Sequence, residues 1–112
     1  MVTDRETRLK MYLHIKYAGY IYAIFHAVRS ILALDGIDRK KHSGAVSCFQ
    51  QNYVNGGVFD KKYSGIVQDT FEAGQGSDYE DFYVISKGEA FIQLENTKEF
   101  IYVVKQYIEN II

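Results

Sequence analysis

Proline and tryptophan are both absent from these 112 residues, and cysteine appears once. Without proline nothing locks φ or deletes a backbone donor inside a helix, so long uninterrupted helices are favoured. A lone cysteine, Cys48, excludes an intrachain disulfide and a cysteine-based zinc site. It fits a reducing cytoplasm, and it suits a helix face better than a nucleophile's role. Charge of one sign is lacking too. The formal net charge is -1, so no global basic field gathers nucleic acid or anionic lipid, and any contact with RNA has to rely on a local patch. No signal-peptide pattern is visible. The apolar-rich residues 12–34 are interrupted by His14, Lys16, His26 and Arg29, which argues against a membrane span. The expectation is a cytoplasmic protein with no membrane contact.

What is present is ordinary globular material. Apolar residues make up 47% and charged residues 24%, and the chain is too short to divide into two cored pieces, so residues 1–112 are read as one domain. Ten tyrosines and seven phenylalanines supply the bulky anchors. Leu13, Tyr17, Tyr20, Ile24, Ala27, Ile31 and Leu34 recur at steps of three and four, which predicts an amphipathic helix over Tyr12 to Leu34 stopped by Gly36. The polar residues Thr3 to Lys10 extend it. After the linker Ile37 to Lys41, a second helix runs from about Ser43, its expected cap, to Tyr53, and Asn55-Gly56-Gly57 ends it. A third begins near Asp60 with Tyr63, Ile66, Val67, Thr70 and Phe71 inward, and fades at Gly74 or Gly76, each glycine costing about 1 kcal/mol against alanine. The last helix opens on a capping box, Ser86 to Glu89, and places Ala90, Leu94, Thr97, Ile101, Val104, Ile108 and Ile111 on its inner face. The fold class is all-α: an antiparallel up-and-down bundle of four to five helices.

Little of this carries recognisable chemistry. The histidines are His14, His26 and His42; no pair stands four apart, and His14 and His26 point about 120° from each other around a helix, so no metal site is expected. No nucleophile elbow and no phosphate-cradling glycine loop is present. No cofactor is expected. His26 and Arg29, three apart, share a helical face with Tyr22. Two readings stand for this trio. One is a buried hydrogen-bonding corner that pairs Arg29 with Asp78 or Asp81. The other is a phosphate-contacting or acid–base site, since histidine titrates near neutrality and arginine clamps phosphate. Arg39-Lys40-Lys41-His42 is the basic cluster of the chain. It is either a solvated linker or an anion site beside a helix N-terminus.

Three stretches in order have a family likeness: residues 20–36 (Tyr-Ile-Tyr-Ala-Ile-Phe-His-Ala-Val-Arg-Ser-Ile-Leu-Ala-Leu-Asp-Gly), Lys41-His-Ser-Gly44, and Phe71-Glu-Ala followed by Asp78-Tyr-Glu-Asp-Phe82. Together they resemble the small bacterial branch of HEPN-domain proteins, over about residues 20 to 110. The resemblance implies a helical bundle that commonly forms homodimers. It implies pairing with a minimal nucleotidyltransferase in toxin–antitoxin systems, and, in active members, metal-independent ribonuclease activity from an Arg-x(4–6)-His motif at the dimer interface. In this branch the stretch reads Phe-Glu-x-Arg-Gln-x-x-Asp-Tyr. Here Gly74 stands at the arginine position and Tyr79 at that of the histidine, with Asp78 before it. Glycine offers a scissile phosphate neither charge nor donors, and cleavage needs charge stabilisation and proton transfer. Family members also carry a whole helix ahead of the Tyr20 segment. Here only about nineteen residues precede it, a shortened N-terminal helix that would leave apolar surface for another subunit to cover.

The expected function is therefore a HEPN-like component of a toxin–antitoxin pair that binds RNA or keeps a vestigial ribonuclease site. The enzyme question leans towards no. His26, Arg29, Lys41, His42 and Tyr79 are the binding candidates, and Gly74, Asp78 and Tyr79 mark the degraded motif. A non-catalytic dimerisation or protein-interaction module is the alternative, and a decaying paralogue is a third.

Overall fold

Helix formation follows the apolar spacing closely. The computed structural model describes residues 5–77 and 86–111, with the backbone alone described for Lys10, His14 and residues 74–77. Four α-helices result: α1 (Arg5–Leu34), α2 (His42–Phe49), α3 (Lys61–Ser77) and α4 (Lys87–Ile111). Among the described residues there is no strand, and the all-α bundle holds.

The N-terminal residues do not make a helix of their own but extend α1, which is 30 residues long. Its end is a Schellman motif: Gly36 has φ 72°, its N–H reaches the Ala33 carbonyl at 3.0 Å, and the Ile37 N–H reaches that of Leu32 at 2.9 Å. The buried face is Tyr17, Ile21, Ile24, Phe25, Ala27, Val28, Ile31 and Leu32. Leu34, expected inside, is exposed, because the helix ends there with nothing packed beyond it. By length and composition α1 could cross a membrane; in this fold its apolar residues from Tyr17 to Leu32 supply a large part of the core of the bundle.

Ser43 is not the cap of α2. Lys41 occupies that position in an extended conformation, and no side chain caps the helix. After Phe49 the helix widens into a π-turn, Gln50–Val54, closed by the Asn55 N–H on the Gln50 carbonyl at 2.9 Å. The extra residue in that turn keeps Phe49, Tyr53 and Val54 all facing inward. Asn55-Gly56-Gly57 does end the segment. A Cβ on Gly56 would stand 2.5 Å from the Asn52 carbonyl oxygen, and Gly57 has φ 84°, so both glycines are required. Asp60 caps α3 as expected, its Oδ1 accepting from the Lys62 N–H at 3.0 Å. Ser86 caps α4, its Oγ accepting from the Glu89 N–H at 3.0 Å.

The inner face of α4 keeps Ala90, Thr97 and Val104 as expected, but Gln93 and Phe100 take the inner positions expected for Leu94 and Ile101. Ala90, Gln93, Thr97, Phe100 and Val104 are buried, whereas Ile101 and Ile111 are exposed. Phe100 takes the inner position because it fits edge-on against Phe49, with ring centroids 5.7 Å apart at 89°. Phe59, Tyr63 and Tyr107 complete this aromatic layer.

Contacts set the directions of the helices. Phe25 meets His42 while Asp35 meets Tyr53, so the short α2 runs alongside α1 in the same sense. Phe25 also meets Phe71, and Phe59 meets Phe49, so α3 runs back down. Thr70 with Gln93 and Lys62 with Glu99 turn α4 upward again. The three long helices thus alternate in direction.

Candidate functional site

Helix α3 does not fade at its glycines. It continues through Gly74 and Gly76 to Ser77, since the roughly 1 kcal/mol cost of each glycine is small beside the packing of Tyr63, Val67 and Thr70 one face further up. Gly74 therefore holds the expected arginine position on helical backbone. Asp78, Tyr79 and Asp81 lie outside the described residues.

Two aromatic contacts tie this end of α3 to the basic linker. Phe71 meets Phe25 edge-on at 6.4 Å and 87°. On Phe25 the imidazole of His42 lies nearly flat, with centroids 4.2 Å apart at 21°. His42 is exposed, so its ring is a supported, solvent-facing platform at the first residue of α2. Phe25 and Phe71 were missed as site residues. Their signal was positional, Phe25 standing four before Arg29 and Phe71 three before Gly74.

Arg29 does not depend on Asp78 or Asp81. It is half-buried, and its Nη2 donates to the backbone carbonyl of Lys40 at 3.0 Å. The reason is the path of residues 37–41, which fold back along α1 and bring a carbonyl within reach of the guanidinium. The stem of Arg39 lies over Gly44, 3.7 to 4.0 Å from where a Cβ would stand. Arg29, Arg39, Lys40, Lys41 and His42 thereby form one basic strip from α1 to the start of α2. The uncapped N-terminus of α2 adds its partial positive charge.

His26 goes elsewhere. It is exposed, as is Tyr22, whose ring centroid lies 6.5 Å away, so the trio is not a buried corner. Three residues leave about 60° between side chains on a helix, and here that angle separates the linker side of α1 from its α4 side. With Ala23, Ala27 and Ser30, His26 lines an open groove of about 560 Å³ against Ile101, Val104, Lys105, Ile108 and Glu109 of α4. The structure thus brings Arg29, Lys41 and His42 together and leaves His26 apart.

Behind the α3 end, a buried polar chain joins α3 to α4. Gln93 Nε2 donates to Thr70 Oγ1 at 3.2 Å, Thr70 Oγ1 donates to the Ile66 carbonyl at 2.7 Å, and Thr97 Oγ1 donates to the Gln93 carbonyl at 2.7 Å. These are satisfied groups that fix the register of the two helices. At the other end of the core, the Tyr53 hydroxyl donates to Asp35 Oδ2; burial, then that bond, push the phenol well above its ordinary pKa. Among the described residues no three His, Cys, Asp or Glu side chains gather as a metal-holding group. Cations beside an exposed ring can hold phosphate and stack on a base.

The HEPN domain profile matches residues 17–107. The chain belongs to the HEPN-domain family. Among curated relatives, the UPF0332 protein PH1297 of Pyrococcus horikoshii is 42% identical over 43 residues, 38% of this chain and 30% of that one. The protein named "Putative toxin MJ0142" of Methanocaldococcus jannaschii is 26% identical over 87 residues, 78% of this chain and 59% of that one. A UPF0332 protein of Thermotoga maritima is 23% identical over 99 residues, 88% of this chain and 75% of its own length. The first two matches span 30% and 59% of those relatives' lengths. The relatives include archaeal proteins, so the likeness extends beyond a bacterial branch. No solved structure matches the chain significantly.

Proposed function

We propose that this HEPN-domain protein is the RNA-binding, non-cleaving member of a toxin–antitoxin pair whose other component is a minimal nucleotidyltransferase. The observation that carries this reading is Gly74 on the helical end of α3, next to a basic strip that keeps Arg29, Lys41 and His42. The strip supplies phosphate contacts and a ring on which a base stacks. The motif position supplies no charge for a scissile phosphate. The toxin name of a relative covering 78% of this chain supports the system, and membership of the family supports the substrate class.

Labelled single-stranded RNA, incubated with the protein without metal, tests both halves. Binding is expected, weakening steeply with salt as counterion release requires, with no cleavage. Lys41→Ala should lower affinity at every sequence tested and flatten the salt dependence by about one unit of slope. Robust cleavage by the unaltered protein would sink the non-cleaving half, and salt-independent binding the electrostatic half. Co-purification with a co-expressed minimal nucleotidyltransferase tests the partner.

A second reading, a protein-interaction module, is favoured by one observation: Tyr12, Ile15, Tyr22 and Ile101 are exposed at 56%, 67%, 57% and 37%.

A further inference from the structure

One residue from each of the three stretches singled out in the sequence meets the others at a single stack. Phe71 of α3 touches Phe25 of α1 edge-on, at 6.4 Å and 87°. The imidazole of His42, at the first residue of α2, lies on the face of Phe25 at 4.2 Å and 21°. Phe25 is buried, at 5% exposure, whereas His42 is exposed. A ring at the open end of a helix turns about its side-chain bonds, and holding it still for a ligand costs entropy. Here the phenyl ring beneath the imidazole supplies that constraint before any ligand arrives. Phe25 is itself held from the far side by Phe71, so the platform is anchored in the core.

Cations stand around this ring. Arg29 follows Phe25 by about one helical turn, and its Nη2 donates at 3.0 Å to the carbonyl of Lys40, two residues before His42. Lys41 directly precedes the imidazole. A flat group laid on the outer face of His42 thus has positive charge beside it. An unpaired base with its own phosphates meets that description. A base inside a duplex does not: its neighbours in the stack cover both faces, and the duplex offers this strip only its backbone.

We infer that the strip selects an unpaired nucleotide, whose base stacks on His42, and that Phe25 is the positioning residue that makes the ring a platform. The inference rests on the RNA-binding reading above and adds a preference that charge alone does not produce. Phosphate contacts follow the density of backbone charge and treat a strand with bases like one without. A stacking ring separates the two. It does so without regard to sequence, because every base has a π-face.

Fluorescence anisotropy with three labelled ligands of equal length tests it: a single-stranded RNA, the same strand in its duplex, and a strand whose sugars carry no bases. His42→Ala should weaken binding of the single strand by about tenfold, as loss of one stacked base does, and leave the other two unchanged. His42→Phe keeps a ring without its charge and should retain the single-strand affinity. Phe25→Leu keeps an apolar side chain in the core and should weaken the single strand less than His42→Ala does. Its duplex binding should stay as it was, which also shows that the fold around the strip stands. Lys41→Ala, by contrast, should weaken all three alike. Equal losses on all three ligands with His42→Ala or Phe25→Leu overturn the inference and leave the RNA-binding reading in place. So does single-strand binding that ignores both changes, or that fails to return with phenylalanine at position 42. An unaltered protein that holds none of the three ligands sinks both.

Discussion

The two ends of α1 differ in composition and have opposite fates. From Tyr17 to Leu32 the helix is surrounded, and Ile24, Val28 and Ile31 have no exposure left. From Arg5 to Lys16 it keeps Leu9, Met11, Tyr12 and Ile15 at 39% to 67% exposure. Charged residues crowd the lower end, yet its large apolar residues still stay open. Neighbours decide this: the linker folds back and α2 and α3 pack beside the upper end, so only that end is enclosed. A hydrophobic residue is buried when another element arrives to cover it, and the helical period says only which way it points.

Four substitutions break or sharpen this contrast. Phe49→Ala removes a fully buried ring that touches Phe59 and Phe100, and should cost about 3–5 kcal/mol by denaturant unfolding. A loss under about 1 kcal/mol would mean that the aromatic layer is not the centre of the fold. Gly56→Ala should follow at about 2 kcal/mol, because its Cβ cannot share space with the Asn52 carbonyl oxygen unless the turn shifts.

Tyr53→Phe comes next, at about 1 kcal/mol near neutrality for a hydrogen bond lost while Asp35 returns to water. It has a pH signature. The folded phenol's pKa lies above its unfolded value of about 10, so its contribution is complete below that pH and is lost as pH rises beyond it. Unfolding free energy should therefore fall across the alkaline range in the parent and fall less in the variant; parallel curves would show that the bond does not hold in solution. The smallest effect belongs to Ile15→Ala. By denaturant unfolding it should stay within about 0.5 kcal/mol, as surface changes do. A larger cost would place the lower end of α1 inside the fold and erase the contrast.

Much of the architecture was legible beforehand. The caps at Asp60 and Ser86 and the stop at Gly36 rest on local chemistry, and local chemistry is what a sequence states most directly. The errors share a cause. On α4 the inner position went to Phe100 and not to Ile101 because both satisfy the period, and only the edge-on fit to Phe49 chooses between them. Ser43 was a good cap by type, but the linker reached α2 two residues earlier, at Lys41. At the candidate site, Lys41, His42 and Arg29 were identifiable as residue types. Their union was not, since it depends on a linker doubling back to present the Lys40 carbonyl.

The sequence by itself determined an all-helical chain of the HEPN family, with glycine at position 74, where the resemblance leads one to expect arginine. Periodicity, capping and residue identity at fixed positions survive any arrangement of the helices. Only the tertiary structure decided that His26 and Arg29 part company, that His42 rests on Phe25 beside the motif helix, and that an apolar stripe of α1 stays open. Each of those depends on which face of one helix meets another, and helix packing sets that through side chains distant in the chain.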